Sequence, residues 1–325
     1  MALNFHFGKA RTVNLTIKDH IIRFVELKQA NPPVSAKTGA RFLPPGIVKD
    51  GKIIDPETLE TIMEECVANW KISRKQVRFL VPDPFVVIRK TSIPPDIKDD
   101  EIRGYLYMEL GTSIHLPFEE AVFDFYPLSG KDSEKKELLL FAAPEEIVKE
   151  YVDLLERARL KPNAADISCL ALYRLYHQLD FIANNDILMM IQFDLQTVNV
   201  SIFENHLPVF MRHIGMDIDA SAWNYKTEQF ELTGSRSEVL NPLEDIYKEI
   251  DRVMNFYHYS LNQGSRQVTK IIVDGDHPWL DEIFAELNKR FSVRAEKITN
   301  RAITGSPDKL LTPFHVNLGL GLKEV

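Results

Sequence analysis

The segment TVNLTIKDHIIRFVELK, residues 12–28, contains the pattern that decides the fold. Apolar and polar residues alternate over residues 13–17, polar residues follow at 18–20, and apolar residues resume over 22–27. Alternation with a period of two is typical of a β-strand that buries one face, and a short polar interruption between two such runs is typical of a hairpin. The segment therefore predicts a β-hairpin with an apolar face.

A second segment repeats this arrangement later in the chain. Residues 187–192 are apolar enough for a buried strand, residues 197–203 alternate, and residues 207–214 return after a turn at 204–206. Two hairpin-led sheets in one chain indicate an internal structural duplication. The 325 residues are enough for two domains, or for one large fold with two lobes.

Two helices are predicted, the first of them with a defined beginning. Asp55 is suited to cap a helix and Pro56 to occupy its first turn, where the missing N–H costs nothing, so that a helix is expected to run to about Trp70. Apolar residues at helical spacing predict a long helix over residues 243–263.

Residues 76–126 depart from this pattern. Two strand-like runs, VRFLV and FVVIRKTSI, are joined by the turn at residues 82–84, and residues 99–111 are typical of a helix. Residues 121–128 and 138–142 add two further strand-like runs. A module of this size indicates a small α+β insertion.

Composition excludes some classes of function. The hydrophobic fraction of 45% is ordinary for a globular protein, and the net charge of -8 argues against a nucleic-acid partner, since phosphate contacts require a basic face. Cys66 and Cys169 are expected to be buried free thiols, which suits a reducing compartment. The first residues lack the pattern of a signal peptide, and no apolar stretch approaches the roughly 20 residues that span a bilayer. We therefore expect a cytoplasmic protein that does not insert into a membrane.

Familiar catalytic and metal-binding motifs do not occur in the sequence. GxSxG, GxxxxGK[ST], HExxH and a metal-type CxxC are all missing, and no paired acidic motif of the glycosidase kind is found. The nine histidines are scattered, and His115 and His258 are expected to be structural or surface residues. The sequence therefore predicts no catalytic residue and no metal site.

Six phrases, in order along nearly the whole chain, carry a family resemblance. They are IRFVELK (22–28), GIVKDGKIID (46–55), FVVIRKTSIP (85–94), EIRGYLYMELGTSIHLPFEEAVFDFYPL (101–128), LLFAAPEEIVKEYVDLLERARLKP (139–162) and IYKEIDRVMNFY (246–257). Together they resemble the type IV pilus assembly protein PilM family, which belongs with the actin-like ATPases and is related to the division protein FtsA.

The resemblance implies an actin-like (ribonuclease H-like) α/β fold, duplicated into two lobes, with a small inserted α+β subdomain. Residues 1–75 and 143–185 would form the first lobe and residues 186–325 the second. The inserted subdomain would be residues 76–142.

An actin-like fold grips ATP between its lobes with two phosphate hairpins and an adenosine turn. Each hairpin usually reads Asp-apolar-Gly, because the Asp holds hydrated Mg²⁺ or orients water and the Gly lets backbone N–H groups approach the phosphates. In the first hairpin, the resemblance places Thr16 at the Asp position and Lys18 at the Gly position. Lys18 is then either a phosphate-binding cation or a solvated lysine of the turn.

The second hairpin and the adenosine turn depart from the family pattern in the same way. Gln192 stands at the Asp position and Asp194 at the Gly position, where a carboxylate would repel phosphates unless it acts as a displaced metal ligand. The adenosine turn keeps Gly275 and follows it with Asp276 in place of a second glycine. Loss at three places predicts a pseudo-ATPase with no cofactor. The alternative is an ATPase that binds ATP and Mg²⁺ through altered contacts.

The resemblance also implies a partner. In the PilM family the protein grips the N-terminal cytoplasmic tail of PilN, a bitopic membrane protein, in a cleft beside the inserted subdomain. The matching cleft here would be flanked by strands 77–81 and 85–93, where an open strand edge could add an extended peptide. The candidate contact residues are Phe79, Pro82, Phe85 and Val87. Burial in the core of the insertion is the alternative role for these side chains.

These features favour a non-catalytic scaffold of a type IV pilus, or of a related competence or secretion machine. It would sit at the inner face of the plasma membrane through a PilN-like partner, with other proteins of the pilus machinery as further partners. The alternatives are an active ATPase of the same machine and an FtsA-like division or polymer-forming protein.

Overall fold

The computed structural model describes residues 12–128, 136–219, 222–226, 229–298 and 314–324. Within these ranges the chain divides into two compact units. Unit 1 takes its residues from the stretch up to 80, from 152–181 and from 298 onward. Unit 2 is built from residues 81–151 and 182–297.

The strands are β1 (Val13–Lys18), β2 (Ile21–Gln29), β3 (Val34–Phe42), β4 (Val48–Lys49), β5 (Lys52–Ile53), β6 (Gln76–Leu80), β7 (Val87–Ile93), β8 (Ala121–Leu128), β9 (Lys136–Pro144), β10 (Lys161–Asp166), β11 (Leu188–Phe193), β12 (Thr197–Glu204), β13 (Leu207–Gly215), β14 (Trp223–Lys226), β15 (Gln229–Leu232), β16 (Lys270–Gly275) and β17 (Ala295–Glu296). The α-helices are α1 (Pro56–Asn69), α2 (Ile102–Glu109), α3 (Glu145–Arg157), α4 (Ser168–Gln178), α5 (Arg236–Asn255), α6 (Leu280–Arg290) and α7 (His315–Gly321). A 3₁₀ turn covers Asp83–Phe85, and a π-helical segment covers Phe256–Leu261.

Unit 1 is organised around a five-stranded sheet in the order β10-β6-β1-β2-β3. β1 and β2 form the predicted hairpin, in which Ile17 lies opposite Ile22 and Asp19 and His20 make the turn. β2 also pairs antiparallel with β3, whereas β6 runs parallel to β1 and β10 runs parallel to β6. The hairpin prediction is confirmed, and both of its strands are buried over most of their length.

Helix α1 begins as the sequence predicts. The Asp55 carboxylate accepts a hydrogen bond from the Thr58 N–H at 3.1 Å, and Pro56 occupies the first turn. The apolar face of the helix is buried and includes Leu59 and Met63. Burial of this stripe, together with the N-terminal cap, accounts for a helix in this segment.

Helix α7 packs in unit 1, against α4, β1 and β2. Its residues from His315 to Leu320 are all buried. At Gly319 a β-carbon would lie 1.8 Å from the backbone oxygen of Ala171, so glycine is required for the close approach to α4. The sequence predicts this segment as part of the second lobe, and the packing corrects that prediction. A local pattern shows that a helix is apolar but not which sheet it will cover.

Unit 2 contains a second five-stranded sheet, in the order β13-β12-β11-β16-β17. β11, β12 and β13 pair antiparallel, β16 runs parallel to β11, and β17 runs parallel to β16. Read in reverse, as β17-β16-β11-β12-β13, this sheet has the same succession of parallel and antiparallel pairings as the sheet of unit 1, β10-β6-β1-β2-β3. The predicted structural duplication is therefore confirmed at the level of topology.

The insertion within unit 2 is a three-stranded antiparallel sheet in the order β7-β9-β8, with α2 packed on it. Its core includes Ile93, Leu106 and Leu140, and β7 lies beside β13 of the larger sheet. The α+β insertion is confirmed, with one correction to its extent. The sequence predicts Gln76–Leu80 as the first strand of the insertion. This strand, β6, instead pairs with β1 and β10 in the sheet of unit 1.

Candidate functional site

Thr16 lies in the middle of β1 and is buried. Its hydroxyl donates to Oδ1 of Asn317 in α7 at 3.4 Å. The Asn317 amide nitrogen in turn donates to the backbone oxygens of Asn14 at 3.0 Å and Arg23 at 3.1 Å. The family pattern has a metal-associated aspartate at this position. Unit 1 instead has a neutral hydroxyl, which joins the hairpin to α7 by a hydrogen bond.

The turn of the first hairpin is occupied by a carboxylate. Lys18 ends β1 half-buried, and Asp19 follows it in the turn. The Asp19 side chain accepts hydrogen bonds from the N–H groups of Asp50 at 2.6 Å and Gly51 at 3.0 Å, which form the turn between β4 and β5. These backbone N–H groups are therefore held by an anion of the chain itself, at the hairpin where the resemblance implies a phosphate.

The second hairpin buries its two substituted positions. Gln192 and Asp194 are both nearly inaccessible, and the Gln192 amide nitrogen lies 3.4 Å and 3.3 Å from the two carboxylate oxygens of Asp194. The Asp194 N–H donates to the Thr197 oxygen at 2.9 Å and closes the turn. This pairing places a buried carboxyl side chain where a glycine would admit phosphate.

Gly275 has a structural reason to be glycine. Its φ is +127°, and a β-carbon there would lie 1.9 Å from the Phe193 oxygen, because β16 approaches β11 closely at this register. The N–H groups of Asp276 and His277 donate to that same oxygen at 2.9 Å and 3.1 Å. The glycine that the resemblance assigns to the adenosine turn is therefore required by the close contact between β16 and β11.

Aromatic side chains fill the region next to this turn. The Trp223 ring lies 5.6 Å from the His277 ring and 5.9 Å from the Trp279 ring, each edge to face. The Arg236 guanidinium lies 4.8 Å from the centre of the Trp279 ring. His277 and Trp223 are buried, so this cluster is part of the packed interior of unit 2.

A cleft of about 620 Å³ lies in unit 2, between the end of β13 and the first turns of α5. Its lining includes the carboxylates of Asp217, Asp219, Glu238, Asp245 and Glu249 and, among the described residues, no lysine or arginine. A ligand rich in phosphate would meet like charge there. Across the described ranges no group of three or more His, Cys, Asp or Glu side chains is placed to hold a metal ion.

Phe79, the first of the candidate partner contacts, lies in the core of unit 1. It is 3% exposed, and its strand β6 is paired along both edges, with β1 and with β10. The open strand edge that the sequence predicts beside the cleft is therefore not at β6. Phe79 is a core residue, as in the alternative, but of unit 1 and not of the insertion.

The remaining candidates, Pro82, Phe85 and Val87, are in unit 2. Pro82 is buried, whereas Phe85 and Val87 are half-buried on and just after the 3₁₀ turn. The turn is closed by the Phe85 N–H, which donates to the Pro82 oxygen at 3.1 Å. The turn and the first residue of β7 therefore present two partly accessible apolar side chains, those of Phe85 and Val87.

Two side chains that the sequence did not single out hold this turn in place. The Asn199 amide nitrogen, on β12, donates to the Asp83 carboxylate at 2.8 Å, and its amide oxygen lies 2.7 Å from Nδ1 of His213 on β13. We call Asp83, Asn199 and His213 the turn clamp. A buried asparagine in the middle of an apolar strand was the one sequence signal for it, since such a group needs partners.

The edges of the insertion are less available for strand addition than the sequence suggested. β7 pairs with β9 on one side and lies beside β13 on the other. At the outer strand β8, the Arg103 side chain donates to the Phe123 oxygen at 3.1 Å and pairs with Asp124 at 2.8 Å. A side chain bound to one carbonyl of an outer strand makes that part of the strand less available for pairing with another chain.

No helix in the described part of the chain is both long enough and apolar enough to cross a bilayer.

Comparison with known proteins gives a family model and two informative structures. The model described as "Type IV pilus assembly protein PilM" matches residues 15–302. A solved structure described as the "PilM-PilN type IV pilus biogenesis complex" is 20% identical with a TM-score of 0.77, over 98% of this chain and 100% of that chain. The ethanolamine utilization protein EutJ from Carboxydothermus hydrogenoformans is 14% identical with a TM-score of 0.50, over 97% of this chain and 90% of that chain. At these identities the structural likeness shows the fold, and the predicted actin-like α/β fold is confirmed.

Proposed function

Because the chain belongs to the type IV pilus assembly protein PilM family, we propose that it acts in the assembly of a type IV pilus, or of a related competence or secretion machine. In this role it is a scaffold that binds a membrane protein and does not turn over ATP. The observation that carries the proposal is the family match, which extends over residues 15–302. The geometry of the two hairpins and of the turn clamp supports its two finer parts.

Loss of ATP turnover is supported by what the phosphate positions do in this chain. Thr16 binds α7, Asp19 binds the β4–β5 turn, and Asp194 is buried against Gln192. Each of these groups has a structural partner within its own unit. A nucleotide would have to displace those contacts and would gain neither an aspartate for hydrated Mg²⁺ nor a glycine turn for its phosphates.

Mg-ATP calorimetry on the purified protein tests this part. We expect no heat of binding up to about 1 mM nucleotide, which corresponds to less than about 4 kcal/mol of binding free energy. A nucleotide-binding actin-like protein measured under the same conditions is the positive control. Micromolar binding would overturn the pseudo-ATPase assignment and favour an active ATPase.

The partner we propose is the N-terminal cytoplasmic tail of a PilN-like membrane protein, the class of protein named in the solved complex. The binding surface is the segment Pro82–Val87, where Phe85 and Val87 are partly accessible beside a turn that is held in place. An extended tail would bury its own apolar side chains against these two. Through this partner the protein would sit at the inner face of the membrane without inserting into it.

A fluorescent peptide of that tail, titrated with the protein, tests the partner. We expect saturable binding, weakened at least about tenfold by Phe85→Ala, because truncating an aromatic residue that is a binding hot spot costs about 2 kcal/mol or more, and about 1.4 kcal/mol is tenfold. Phe256→Ala is the matched control, since it removes an exposed ring from the π-helical segment, outside the insertion and its turn. Equal loss in both variants, or no binding by the wild type, would count against the proposal.

Filament formation on lipid, measured by pelleting, separates this function from the FtsA-like alternative. The scaffold proposal expects the protein to stay in the supernatant unless vesicles carry the partner.

A further inference from the structure

The polarity of the turn clamp is fixed by its chemistry. A carboxylate can only accept hydrogen bonds, so the Asn199 atom 2.8 Å from Asp83 must be the amide nitrogen. The Asn199 oxygen then faces Nδ1 of His213 at 2.7 Å, which requires that the proton of His213 be on Nδ1. Each contact pairs a donor with an acceptor, and an amide flipped the other way would place oxygen against carboxylate.

The clamp joins parts of the chain that are far apart in sequence. Asp83 is 116 residues from Asn199, and Asn199 lies directly opposite His213 in the pairing of β12 with β13. Asn199 is buried, whereas Asp83 is half-buried in the 3₁₀ turn. The clamp therefore anchors a short turn to the rigid five-stranded sheet of unit 2.

The backbone of the turn forms hydrogen bonds within the turn itself. Pro82 and Pro84 have no N–H to donate, and the internal bonds that run from Phe85 to Pro82 and from Val86 to Asp83 close the turn on itself at 3.1 Å and 3.2 Å. Such bonds set the shape of the turn. The Asp83 side chain adds a contact from the turn to β12 through Asn199.

We infer that Asn199 and His213 are positioning residues for partner binding: they hold Asp83, and through it fix the orientation of Phe85. This inference rests on the proposed function and adds to it two residues outside the apolar contact surface. A surface that is already ordered binds a peptide more tightly, because less conformational freedom is lost on association. Neither Asn199 nor His213 has to touch the tail for this to hold.

An exchange of the two clamp residues tests the inference. Asn199→Asp alone sets two carboxylates against each other at the contact that now spans 2.8 Å. The double variant Asp83→Asn with Asn199→Asp restores one amide donor and one carboxylate acceptor in reversed order and keeps the net charge of the wild type. Asn255→Asp is the matched control, because Asn255 donates to the Asp251 carboxylate at 3.0 Å on the exposed face of α5.

Two measurements are made on each variant of the full chain. Affinity for the fluorescent tail peptide is expected to fall at least about tenfold in Asn199→Asp and to recover to within about threefold of wild type in the double variant. Hydrogen exchange of a peptide that spans residues 82–87 is expected to speed up in Asn199→Asp and to return to the wild-type rate in the double variant. Asn255→Asp should change neither quantity.

The outcomes separate this inference from the proposed function. If the wild type binds the tail and Asn199→Asp binds it equally well, the positioning role is overturned while the partner stands. Failure of the double variant to recover, with a wild-type melting temperature, also overturns the inference. If the wild type does not bind the tail, the proposed partner is wrong, and unchanged exchange over residues 82–87 would show that the clamp does not order the turn either.

Discussion

Asn317 shows how one buried amide can join a helix to two strands. Its nitrogen serves the backbone oxygens of Asn14 and Arg23, and its oxygen accepts from Thr16. We expect Asn317→Leu to lower the free energy of unfolding by about 2–4 kcal/mol, because it removes three buried hydrogen bonds. Urea denaturation measures this. Asn255→Leu on the exposed face of α5 is the control and should stay within about 0.5 kcal/mol of wild type.

Two glycines of the unit 2 sheet make opposite predictions. Gly275→Ala forces a β-carbon to within 1.9 Å of the Phe193 oxygen at a φ of +127°, so we expect a loss of at least about 3 kcal/mol or failure to fold. At Gly215 a β-carbon meets no atom of the described residues within 4 Å, so Gly215→Ala should be neutral or slightly stabilising. Thermal melting of both variants measures the two effects, and equal losses of stability would contradict the prediction.

Gly275 also marks a limit of reasoning from sequence at this scale. The family pattern explains a glycine here by a nucleotide, and the structure explains it by the close approach of β16 to β11. Both reasons lead to a glycine at this position of the sequence. The clamp residue Asn199 is the reverse case, a polar residue within the run VNVSIF whose partners lie far along the chain.

Among the secondary-structure elements, α5 departs most from its prediction. The sequence favours a helix over residues 243–263, whereas the helix begins at Arg236 and continues past Asn255 as a π-helical segment. Pro242 lies inside the helix, although an interior proline removes a hydrogen bond and crowds the preceding turn. The Glu238 carboxylate, which accepts from the Ser235 N–H at 3.2 Å, supports the earlier start.

The packing of α7 gives a prediction for this helix. A β-carbon at Gly319 would strike the backbone oxygen of Ala171 at 1.8 Å, whereas one at Gly321 would first meet the end of the Leu27 side chain at 2.6 Å. Backbone in a packed helix cannot move aside and a leucine rotamer can, so Gly319→Ala should destabilise the protein by several kcal/mol more than Gly321→Ala. Chemical denaturation of the two variants tests this, and a larger loss for Gly321→Ala would contradict it.

For the whole molecule, the features that recur along the chain were predictable and the features that connect distant parts were not. Alternation in the segments 12–28 and 187–203 predicted both hairpins, and their repetition predicted the duplicated topology. The pairing of β6 between β1 and β10 was not predictable in this way, because β10 follows some 80 residues later. Contacts of that separation leave no periodic trace in the sequence.

The two thiols report on the opening of unit 1. Cys66 on α1 and Cys169 on α4 are both buried in that unit, and burial raises the pKa of the Cys66 thiol to about 12. At pH 8 this thiol is therefore protonated and unreactive. We expect labelling by a thiol reagent to be at least about a hundredfold slower in the native protein than in urea. Rapid labelling of either thiol under native conditions would show that unit 1 opens locally.

Because α7 follows residue 297 in the chain, it also sets the order in which the two units can be completed during synthesis. All of unit 2 has been synthesised by residue 297, whereas unit 1 waits for the helix His315–Gly321, whose Asn317 is 301 residues from its partner Thr16. Units fold as soon as their residues emerge, at roughly 5–20 residues per second, so unit 2 can be complete while unit 1 is still short of its last element. A nascent chain that stops before residue 315 would carry the complete turn clamp in unit 2, whereas the sheet of unit 1 would lack the helix that packs on β1 and β2.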